Sequence, residues 1–241
     1  MRAMIFSAGT GTRLYPLTKD TPKALVEIKG KPMLEWQILR LKRFGINNII
    51  INVHHFSDQI IDFVKSRNSF GIDIQFSDET DELLDTGGGL KKASWFFQEK
   101  GPQIIQNVDI FTDLDIQEVI NYHIKNQSLA TLVVKKRKSS RYLLFNRNYI
   151  LSGWENKKTG EKIITRDEGN LISLAFSGIQ IIEYSMLNLI IEKGVFSIID
   201  FYLRLSKQNH IEGYLDESSN WFDLGKIESI KEFENSDFRL L

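Results

Sequence analysis

Apolar residues occur along the chain in short continuous or alternating runs, and these runs predict β-strands. The β-branched run Ile49-Ile50-Ile51 is typical of a strand inside a parallel sheet, because such a strand is covered on both faces. Ile72-Asp73-Ile74-Gln75-Phe76 instead alternates with the period of two of a half-buried strand. The predicted strands are 3–8, 24–28, 49–53, 72–76, 103–109, 128–134, 171–182 and 211–215.

Between many of these runs, apolar residues recur at the spacing of one helix face. Met33, Trp36 and Leu41 follow this spacing, and Gly45 stands where a helix would end. The predicted helices are 33–44, 59–65, 116–126, 186–192 and 198–207, with another after the glycines 87–89. Strands that alternate with helices predict an α/β fold with a parallel sheet.

The stretch from 137 to 170 departs from this alternation. Short strands are predicted at 142–145, 149–154 and 162–165, with a hairpin turn at 157–160. We therefore expect a small β insertion here. The length of 241 residues fits one large α/β domain or one domain with a small appendage, and we expect a single domain.

The first predicted strand ends at a glycine turn that is followed by two cations. Gly9-Thr10-Gly11-Thr12 permits close backbone approach, and such a loop can present amide N–H groups to a phosphate. The dinucleotide-binding fingerprint is excluded because Leu14 stands where it needs a third glycine, and the chain lacks the lysine-containing glycine loop of P-loop proteins. Arg13 and Lys23 bring two positive charges near one anionic site, which suits a nucleoside triphosphate.

This stretch resembles the sugar-1-phosphate nucleotidyltransferases, the nucleotide-sugar pyrophosphorylases. Their signature is a strand followed by G-x-G-T-R-L, P-L-T and P-K, which here occupy 9–14, 16–18 and 22–23. The resemblance implies a Rossmann-like, three-layer α/β/α nucleotidyltransferase fold (GT-A-like), with a mixed, mostly parallel central sheet and a small β insertion near 137–170. It also implies a single domain, 1–241, whose nucleotide-binding half is 1–134 and whose sugar-binding half is 135–241.

Two aspartates are the predicted metal ligands. Asp109 ends the strand 103–109, at the edge where open α/β sheets place their ligands. Asp223 lies in a stretch that resembles the family's W-x-D-V/I-G-T-P-E segment, and the resemblance implies that both aspartates bind Mg²⁺. The alternative for Asp223 is a cap of the last helix. Asp113 and Asp115 are predicted to occupy a turn and a helix N-cap.

The resemblance implies roles for further residues. The predicted catalytic residues are Arg13, Lys23 and Asp109. The predicted nucleotide-binding residues are Ala8, Gly9, Thr10, Gly11, Thr12, Arg13, Lys23, Thr86, Gly87 and Gly88. The segment 86–88 is included because its glycines would let a base lie against the backbone. The predicted sugar-binding residues are Asn107, Ser177 and Gly178. Lys162 and Arg166 are candidates for the sugar phosphate by charge alone.

The chain departs from the family pattern at two places. Val108 replaces a usual glycine before Asp109, and Lys226-Ile227 replaces a Thr-Pro pair after Asp223. Two readings without turnover therefore stay open. The chain is then either a catalytically inactive relative that serves as a regulatory subunit, or a module that only binds sugar nucleotides.

Composition excludes several classes of partner. Lys plus Arg and Asp plus Glu number 31 each, so no overall field attracts nucleic acid or an anionic membrane. The basic run 135–138 lacks interleaved aromatic residues and is interpreted as a solvated strand end. Cysteine is absent, which excludes disulfides and thiolate metal sites. His54-His55 could suggest a metal site, but neighbours on an extended chain point to opposite faces, so a loop and helix-entry role is expected instead. With neither a signal segment nor a membrane span in evidence, a cytoplasmic protein is expected.

The expected substrates are a nucleoside triphosphate and a sugar 1-phosphate, with Mg²⁺ as cofactor. Chain length, Asp85-Thr86-Gly87-Gly88-Gly89 and Asn52-Val53-His54-His55 look most like the bacterial N-acetylmuramate-1-phosphate uridylyltransferases, which favours UTP. The mannose-1-phosphate and heptose-1-phosphate guanylyltransferases remain alternatives, with GTP. The sequence indicates no oligomeric state.

Overall fold

Strands and helices alternate along a computed structural model that describes residues 1–167 and 169–238. The strands are β1 Ala3–Phe6, β2 Glu27–Ile28, β3 Lys31–Pro32, β4 Asn48–Val53, β5 Asp73–Asp78, β6 Pro102–Asn107, β7 Ile110–Thr112, β8 Ala130–Lys135, β9 Arg141–Phe145, β10 Leu151–Asn156, β11 Lys162–Ile164, β12 Ile172–Glu183, β13 Ile211–Leu215 and β14 Trp221–Asp223. The helices are α1 Met33–Arg43, α2 Ser57–Ser66, α3 Asp85–Lys92, α4 Ile116–Asn126, α5 Ile198–Ser206 and α6 Ile227–Glu234.

The large sheet is mixed, and its central strands are parallel. Its strands follow the order β11-β10-β9-β12-β6-β1-β4-β5, while β8 pairs with β12 and β13. β1 lies between β4 and β6 and is parallel to both, so that Phe6 stands opposite Asn52 and Asn107. The carboxyl ends of three strands therefore meet at one edge, which is where open α/β sheets bind ligands.

Helices cover both faces of the sheet. In β1 and β4, Ile5 and Ile51 belong to one buried cluster, whereas Met4 and Ile50 belong to the other. Neighbouring residues of a strand point to opposite faces, so a strand covered on both sides needs a continuous apolar run. The first cluster includes residues of α1, α2, α4 and α6, and the second includes residues of α3 and α5. The predicted three-layer fold is confirmed.

The strand predicted at 103–109 ends at Asn107, so Asp109 lies in the turn before β7 and not in a strand. Three further predicted elements differ in the structure. Residues 24–28 are not one strand: a 3₁₀ helix covers Lys23–Leu25, because Leu25 N donates to the carbonyl of Pro22 at 2.8 Å, and a short hairpin of β2 and β3 follows. The helix predicted at 186–192 is a 3₁₀ helix over Tyr184–Leu189. α3 begins at Asp85 and contains the three glycines, instead of following them.

The predicted insertion forms an antiparallel continuation of the sheet. β10 pairs with β9 and β11, and β9 pairs with the first residues of β12. Residue 168 of the insertion and residues 239–241 of the predicted second half lie outside the described residues. Among the residues that are described, no helix has the length and apolar character needed to traverse a bilayer.

Candidate active site

A cavity of about 470 Å³ opens at the carboxyl edge of the parallel strands. The segments after β1 and β6 contribute Ala8, Gly9, Arg13, Lys23, Asn107 and Asp109 to its lining. The stretch from the end of β5 into α3 contributes Glu79, Leu83, Asp85 and Thr86, and Phe6, Asn52 and Val195 complete the lining. The cavity therefore lies between the glycine turn after β1 and the segment that leads into α3.

The glycine turn follows from local geometry. Gly11 has φ 66°, and a methyl group there would lie 2.9 Å from Thr18 Cγ2 and 3.0 Å from Lys23 Cβ, so glycine is required. Gly9 differs, because an added methyl would have nothing within 4 Å. Thr10 and Thr12 border a neighbouring cavity of about 440 Å³. The turn thus leaves open space at Gly9 and brings its backbone against Lys23.

Lys23 and Asp109 form an ion pair in the cavity wall. Lys23 Nζ lies 2.7 Å from Asp109 Oδ2, and both side chains are largely buried. The 3₁₀ helix that starts at Lys23 and the residues after β6 bring the two groups together. Two elements separated by 86 residues are joined by this contact.

Asp109 and Asp223 converge because β14 pairs with β7. Asp223 stands opposite Ile110, and Leu224 N donates to the carbonyl of Asp109 at 2.9 Å. A methyl group on Gly225 would lie 2.8 Å from Asp223 Oδ1, 3.1 Å from Asp109 Oδ2 and 2.7 Å from an Arg13 guanidinium nitrogen. Two carboxylates and one cation thus face the same small volume. Asp223 Oδ1 accepts from Gly225 N at 2.9 Å, and Lys226 occupies the N-cap position of α6, so Asp223 is not the cap of the last helix.

A buried polar network supports the loop that carries Asp109. Gln37 Nε2 donates to the carbonyls of Val108 and Ile110, at 3.2 and 2.8 Å, and Gln106 Nε2 donates to Gln37 Oε1 at 2.9 Å. Arg40 donates to Gln106 Oε1 at 3.3 Å and to the carbonyl of Leu114 at 2.8 Å. Burial lowers the pKa of Arg40 to about 10, against the opposing charges of two aspartates, Asp113 and Asp115. The guanidinium stays charged at neutral pH and holds the loop.

The structure shows the places of Val108, one of the two departures from the family pattern, and of the two aspartates after Asp109. The side chain of Val108 is fully buried in the core, and its N–H donates to the carbonyl of Phe6 at 3.1 Å. Val108 therefore extends the backbone pairing at the end of β1 and β6, and Asp109, not Val108, lines the cavity. Asp115 caps α4 as predicted, with its side chain accepting from Gln117 N, and Asp113 binds Asn220.

The three glycines of α3 serve packing. Gly87 N and Gly88 N both donate to the carbonyl of Phe196, at 2.9 and 3.2 Å, and both glycines are buried. A methyl group would lie 2.4 Å from the Phe196 ring at Gly87 and 2.6 Å from the carbonyl oxygen of Gly194 at Gly88. The amide N–H groups of Gly87 and Gly88 are therefore used within the fold, and contact of these glycines with a base stays a prediction. Asp85 and Thr86 are the residues of this segment that line the cavity.

The predicted sugar-binding residues lie around a bulge in β12. Gly178 has φ 79°, and a methyl there would lie 3.1 Å from Asn107 Nδ2 and 2.7 Å from Ile110 Cγ1. Asn107 lines the cavity. Ser177 is buried, its hydroxyl donates to the carbonyl of Val133 at 2.7 Å, and its own carbonyl accepts from Trp221 Nε1 at 2.9 Å. Both groups of Ser177 are thus used within the fold.

The basic run 135–138 is more than a solvated strand end, and this interpretation was wrong for two of its members. Lys135 Nζ lies 2.8 Å from Asp216 Oδ2 and is largely buried. The Arg137 guanidinium lies over the Trp221 ring at 4.1 Å and donates to the carbonyl of Phe176 at 2.9 Å. Burial lowers the pKa of Arg137, and the charge of Asp223 opposes that effect.

The charge-based candidates for the sugar phosphate lie elsewhere. Arg166 donates to the carbonyls of Ser206 and, at 3.0 Å, Asn209, next to the end of α5. Lys162 is an exposed residue of β11, the outermost strand on that side of the sheet.

Two buried residues of the cavity wall, Asn52 and Glu79, were missed. Their signal was a polar residue within the apolar run 49–53 and a carboxylate directly after the next strand. His54 Nδ1 lies 2.7 Å from the carbonyl oxygen of Glu79, which agrees with a loop role. Within residues 1–167 and 169–238, no group of three or more His, Cys, Asp or Glu side chains has the arrangement of a metal site.

Comparison with known proteins agrees with this geometry. The family model described as "Nucleotidyl transferase" matches residues 2–238. The chain belongs to the nucleotidyl transferase family. The resemblance to the sugar-1-phosphate nucleotidyltransferases, and the prediction of an enzyme, are thereby confirmed.

Individual nucleotidyl transferases show how far the similarity extends. N-acetylmuramate alpha-1-phosphate uridylyltransferase of Neisseria meningitidis serogroup B is 28% identical over 232 residues, which cover 96% of each chain. Mannose-1-phosphate guanyltransferase of Gibberella zeae is 36% identical over 138 residues, covering 56% of this chain and 38% of the relative. The structure of HddC from Yersinia pseudotuberculosis with GMP-PN superposes with a TM-score of 0.75 and 22% identity, covering 97% of both chains. This last likeness shows the common fold.

Proposed function

We propose that the protein transfers a nucleotidyl group from a nucleoside triphosphate to a sugar 1-phosphate, with UTP and N-acetylmuramate 1-phosphate as the favoured pair. The observation that carries the proposal is the convergence of Arg13, Asp109 and Asp223 on the volume beside Gly225. That volume adjoins a cavity with a glycine turn at its edge. The proposed place of action is the cytoplasm, where nucleoside triphosphates are available.

The chemistry requires alignment and charge neutralisation. An oxygen of the sugar phosphate forms a bond to the α-phosphorus, the bond from that phosphorus to the bridging oxygen breaks, and its electron pair leaves with pyrophosphate. The nucleophile is already anionic, so no catalytic base is needed. Ala8 and Gly9 would face the triphosphate, Arg13 would neutralise the leaving pyrophosphate, and Lys23 the α-phosphate.

The donor set fits a divalent cation. The carboxylates of Asp109 and Asp223 would hold Mg²⁺, since a small hard cation takes one or two protein carboxylates and completes its shell with water and phosphate oxygens. When bound, the cation would neutralise phosphate charge. Asp109 would have to share or release its contact with Lys23 first.

The relatives favour different bases. The uridylyltransferase of Neisseria meningitidis aligns over nearly the whole chain, which supports UTP. The guanyltransferase of Gibberella zeae has the higher sequence identity, but its alignment covers little more than half of this chain. Mannose 1-phosphate or heptose 1-phosphate with GTP is therefore the second candidate. Asn107 is the residue proposed to face the sugar from the cavity.

A substrate panel tests the proposal. UTP, GTP, dTTP and CTP are each combined with N-acetylmuramate, mannose, heptose and glucose 1-phosphates in Mg²⁺, and pyrophosphate release is measured. We expect the highest kcat/KM for UTP with N-acetylmuramate 1-phosphate. Nucleotide-induced thermal stabilisation without pyrophosphate release in any mixture would favour the inactive regulatory subunit or the binding module. No stabilisation by any nucleotide would contradict nucleotide binding itself.

A further inference from the structure

Two buried side chains join the opposite walls of the cavity. Asn52, near the end of β4, accepts from Ser7 N through Oδ1 at 2.7 Å. Its Nδ2 donates to Glu79 Oε1 at 2.8 Å, and Glu79 Oε2 accepts from Leu84 N at 3.2 Å. A continuous path of hydrogen bonds therefore leads from Ser7, the residue directly after β1, to Leu84, the residue before α3.

The path is held rigidly. Glu79 N donates to the carbonyl of Val53 at 2.7 Å, and the Glu79 carbonyl contacts His54 Nδ1 at 2.7 Å, so the backbone on both sides of the carboxylate is fixed. Gly89 leaves the space for this pair, because a methyl there would lie 2.7 Å from Glu79 Oε1 and 3.1 Å from Asn52 Nδ2. Asn52 and Glu79 are 3% and 0% exposed.

Burying the Glu79 carboxylate here carries an unfavourable desolvation free energy. Burial raises the pKa of Glu79, and the hydrogen bonds from Asn52 and Leu84, with the nearby charges of Lys92 and His54, only oppose that shift. An apolar residue would avoid the desolvation cost. What a carboxylate supplies here is a pair of acceptors aimed at two separate donors, one on each side.

We propose that Asn52 and Glu79 are positioning residues that set the separation between the phosphate-binding turn, residues 7–13, and the opposite cavity segment, residues 83–86. A nucleoside triphosphate must reach both walls at once, so its affinity depends on the direction of the hydrogen bonds across the pair. The inference rests on the proposed function, because it assigns the nucleotide to this cavity.

The direction of these bonds gives a sharp design. In Glu79→Gln, the new NH₂ group faces either the NH₂ of Asn52 or the N–H of Leu84, so a donor meets a donor. In Asn52→Asp, two carboxylates face each other across the pair. In the double variant Asn52→Asp/Glu79→Gln, Asp accepts from Ser7 N and from the Gln NH₂, while the Gln carbonyl oxygen accepts from Leu84 N. Only the central bond is reversed, and the net charge of the pair is unchanged.

The control lies beside the pair. Ser77 stands opposite Asn52 in the register of β4 and β5, and its hydroxyl is buried without a hydrogen-bond partner among the described residues. Ser77→Ala therefore tests a buried polar change at the same depth without touching the path.

The experiment measures UTP and GTP binding by calorimetry with Mg²⁺, thermal unfolding, and KM for each substrate, in wild type, both single variants, the double variant and Ser77→Ala. We expect each single variant to raise the Kd of the preferred nucleotide at least tenfold while the KM of the sugar phosphate changes less than threefold. The double variant should recover a Kd within threefold of wild type, and Ser77→Ala should match wild type.

Two results would overturn this inference without affecting the proposed function. One is single variants that bind nucleotide with the wild-type Kd, and the other is a double variant whose Kd is no lower than that of the more weakly binding single variant. If a single variant does not fold, the double variant and its recovery of nucleotide affinity decide the matter. Failure of the wild-type protein to bind any nucleotide overturns the proposed function, and this inference with it. Binding without turnover contradicts only the catalytic part of the proposed function.

Discussion

The ammonium group of Lys23 lies 2.7 Å from the same Asp109 oxygen that borders the space beside Gly225. In the free protein, a proposed metal ligand is thus already neutralised by a proposed catalytic cation. Binding of a divalent cation and retention of this ion pair compete for Asp109 Oδ2, and an arriving triphosphate offers Lys23 a new anionic partner.

Lys23→Gln is expected to separate these two roles. Without the ammonium group, the negative charge of Asp109 is no longer neutralised by a neighbouring cation. Mn²⁺ should therefore bind the nucleotide-free variant severalfold more tightly than wild type, as measured by electron paramagnetic resonance. Pyrophosphate release should fall about 10²-fold or more, because charge stabilisation of the reacting phosphate is lost. Lys19→Gln, an exposed neighbour, should change neither quantity. Weaker Mn²⁺ binding in Lys23→Gln would refute the competition.

Asp109→Asn and Asp223→Asn are each expected to abolish most metal-dependent activity. Each change keeps the shape of the side chain but removes a negative ligand from the shared volume, so both Mn²⁺ affinity and kcat should fall by at least about 10²-fold. Asp115→Asn is the matched control, because asparagine caps a helix as well as aspartate does. Wild-type kcat in either of the first two variants would remove that residue from the metal site.

Gly9→Ala is expected to change binding without changing the fold. The added methyl would contact nothing in the described protein within 4 Å, so the thermal midpoint should stay within about 2 °C of wild type. The methyl would occupy cavity space proposed for the triphosphate, and KM for the nucleotide should rise about tenfold or more. Unchanged KM would place the triphosphate elsewhere.

Val108→Ala is expected to act on stability and not on chemistry. The valine side chain is fully buried in the core, so its truncation should lower the free energy of unfolding by about 2 kcal/mol, measured with urea. Below the unfolding transition, kcat should stay near that of wild type. A large change of kcat in a folded variant would show that this departure from the family pattern reaches the site.

His123 is expected to make stability depend on pH. Burial lowers the pKa of His123 below its ordinary value, although the charges of Glu183 and Glu212 oppose the shift. The unfolded chain then binds a proton more readily, so the free energy of unfolding falls as pH drops below about 6.5, by at most about 1.4 kcal/mol per pH unit for one proton. The loss ends once pH is below the folded pKa.

Urea unfolding at pH 7.5 and 5.5 checks this sign. His123→Gln should lose less stability between the two pH values than wild type does, whereas exposed His55→Gln should behave as wild type. An equal loss in His123→Gln and wild type would mean that His123 does not contribute.

The central strands and the turn between them were predictable because their signals are local. Ile49–Ile51 suit only a covered strand, and the glycines after Phe6 interrupt an apolar run at a fixed place. The packing of Gly87 and Gly88 was not predictable, for the opposite reason. Their partner is Phe196, more than a hundred residues away, and a glycine run does not reveal whether a ligand or the chain itself fills the space.

Charge alone was a poor guide to the second half. In the sequence, Lys135 and Arg137 belong to a basic run of the kind that usually lies in solvent. In the structure, Lys135 pairs with Asp216 and Arg137 packs on Trp221. Arg166 carries the same charge but binds carbonyls near the end of α5. The partners of Lys135 and Arg137 lie about eighty residues away along the chain, and those of Arg166 about forty, and periodicity does not encode such contacts.

Strand β12 has a consequence for how the chain matures on the ribosome. It lies between β6 and β8, and β13, the other partner of β8, is made later still. A nascent polypeptide that stops before residue 172 therefore lacks the strand that pairs with β6, β8 and β9, and unpaired strand edges can pair with another molecule. Premature termination is therefore expected to yield fragments that aggregate and not a shorter active enzyme.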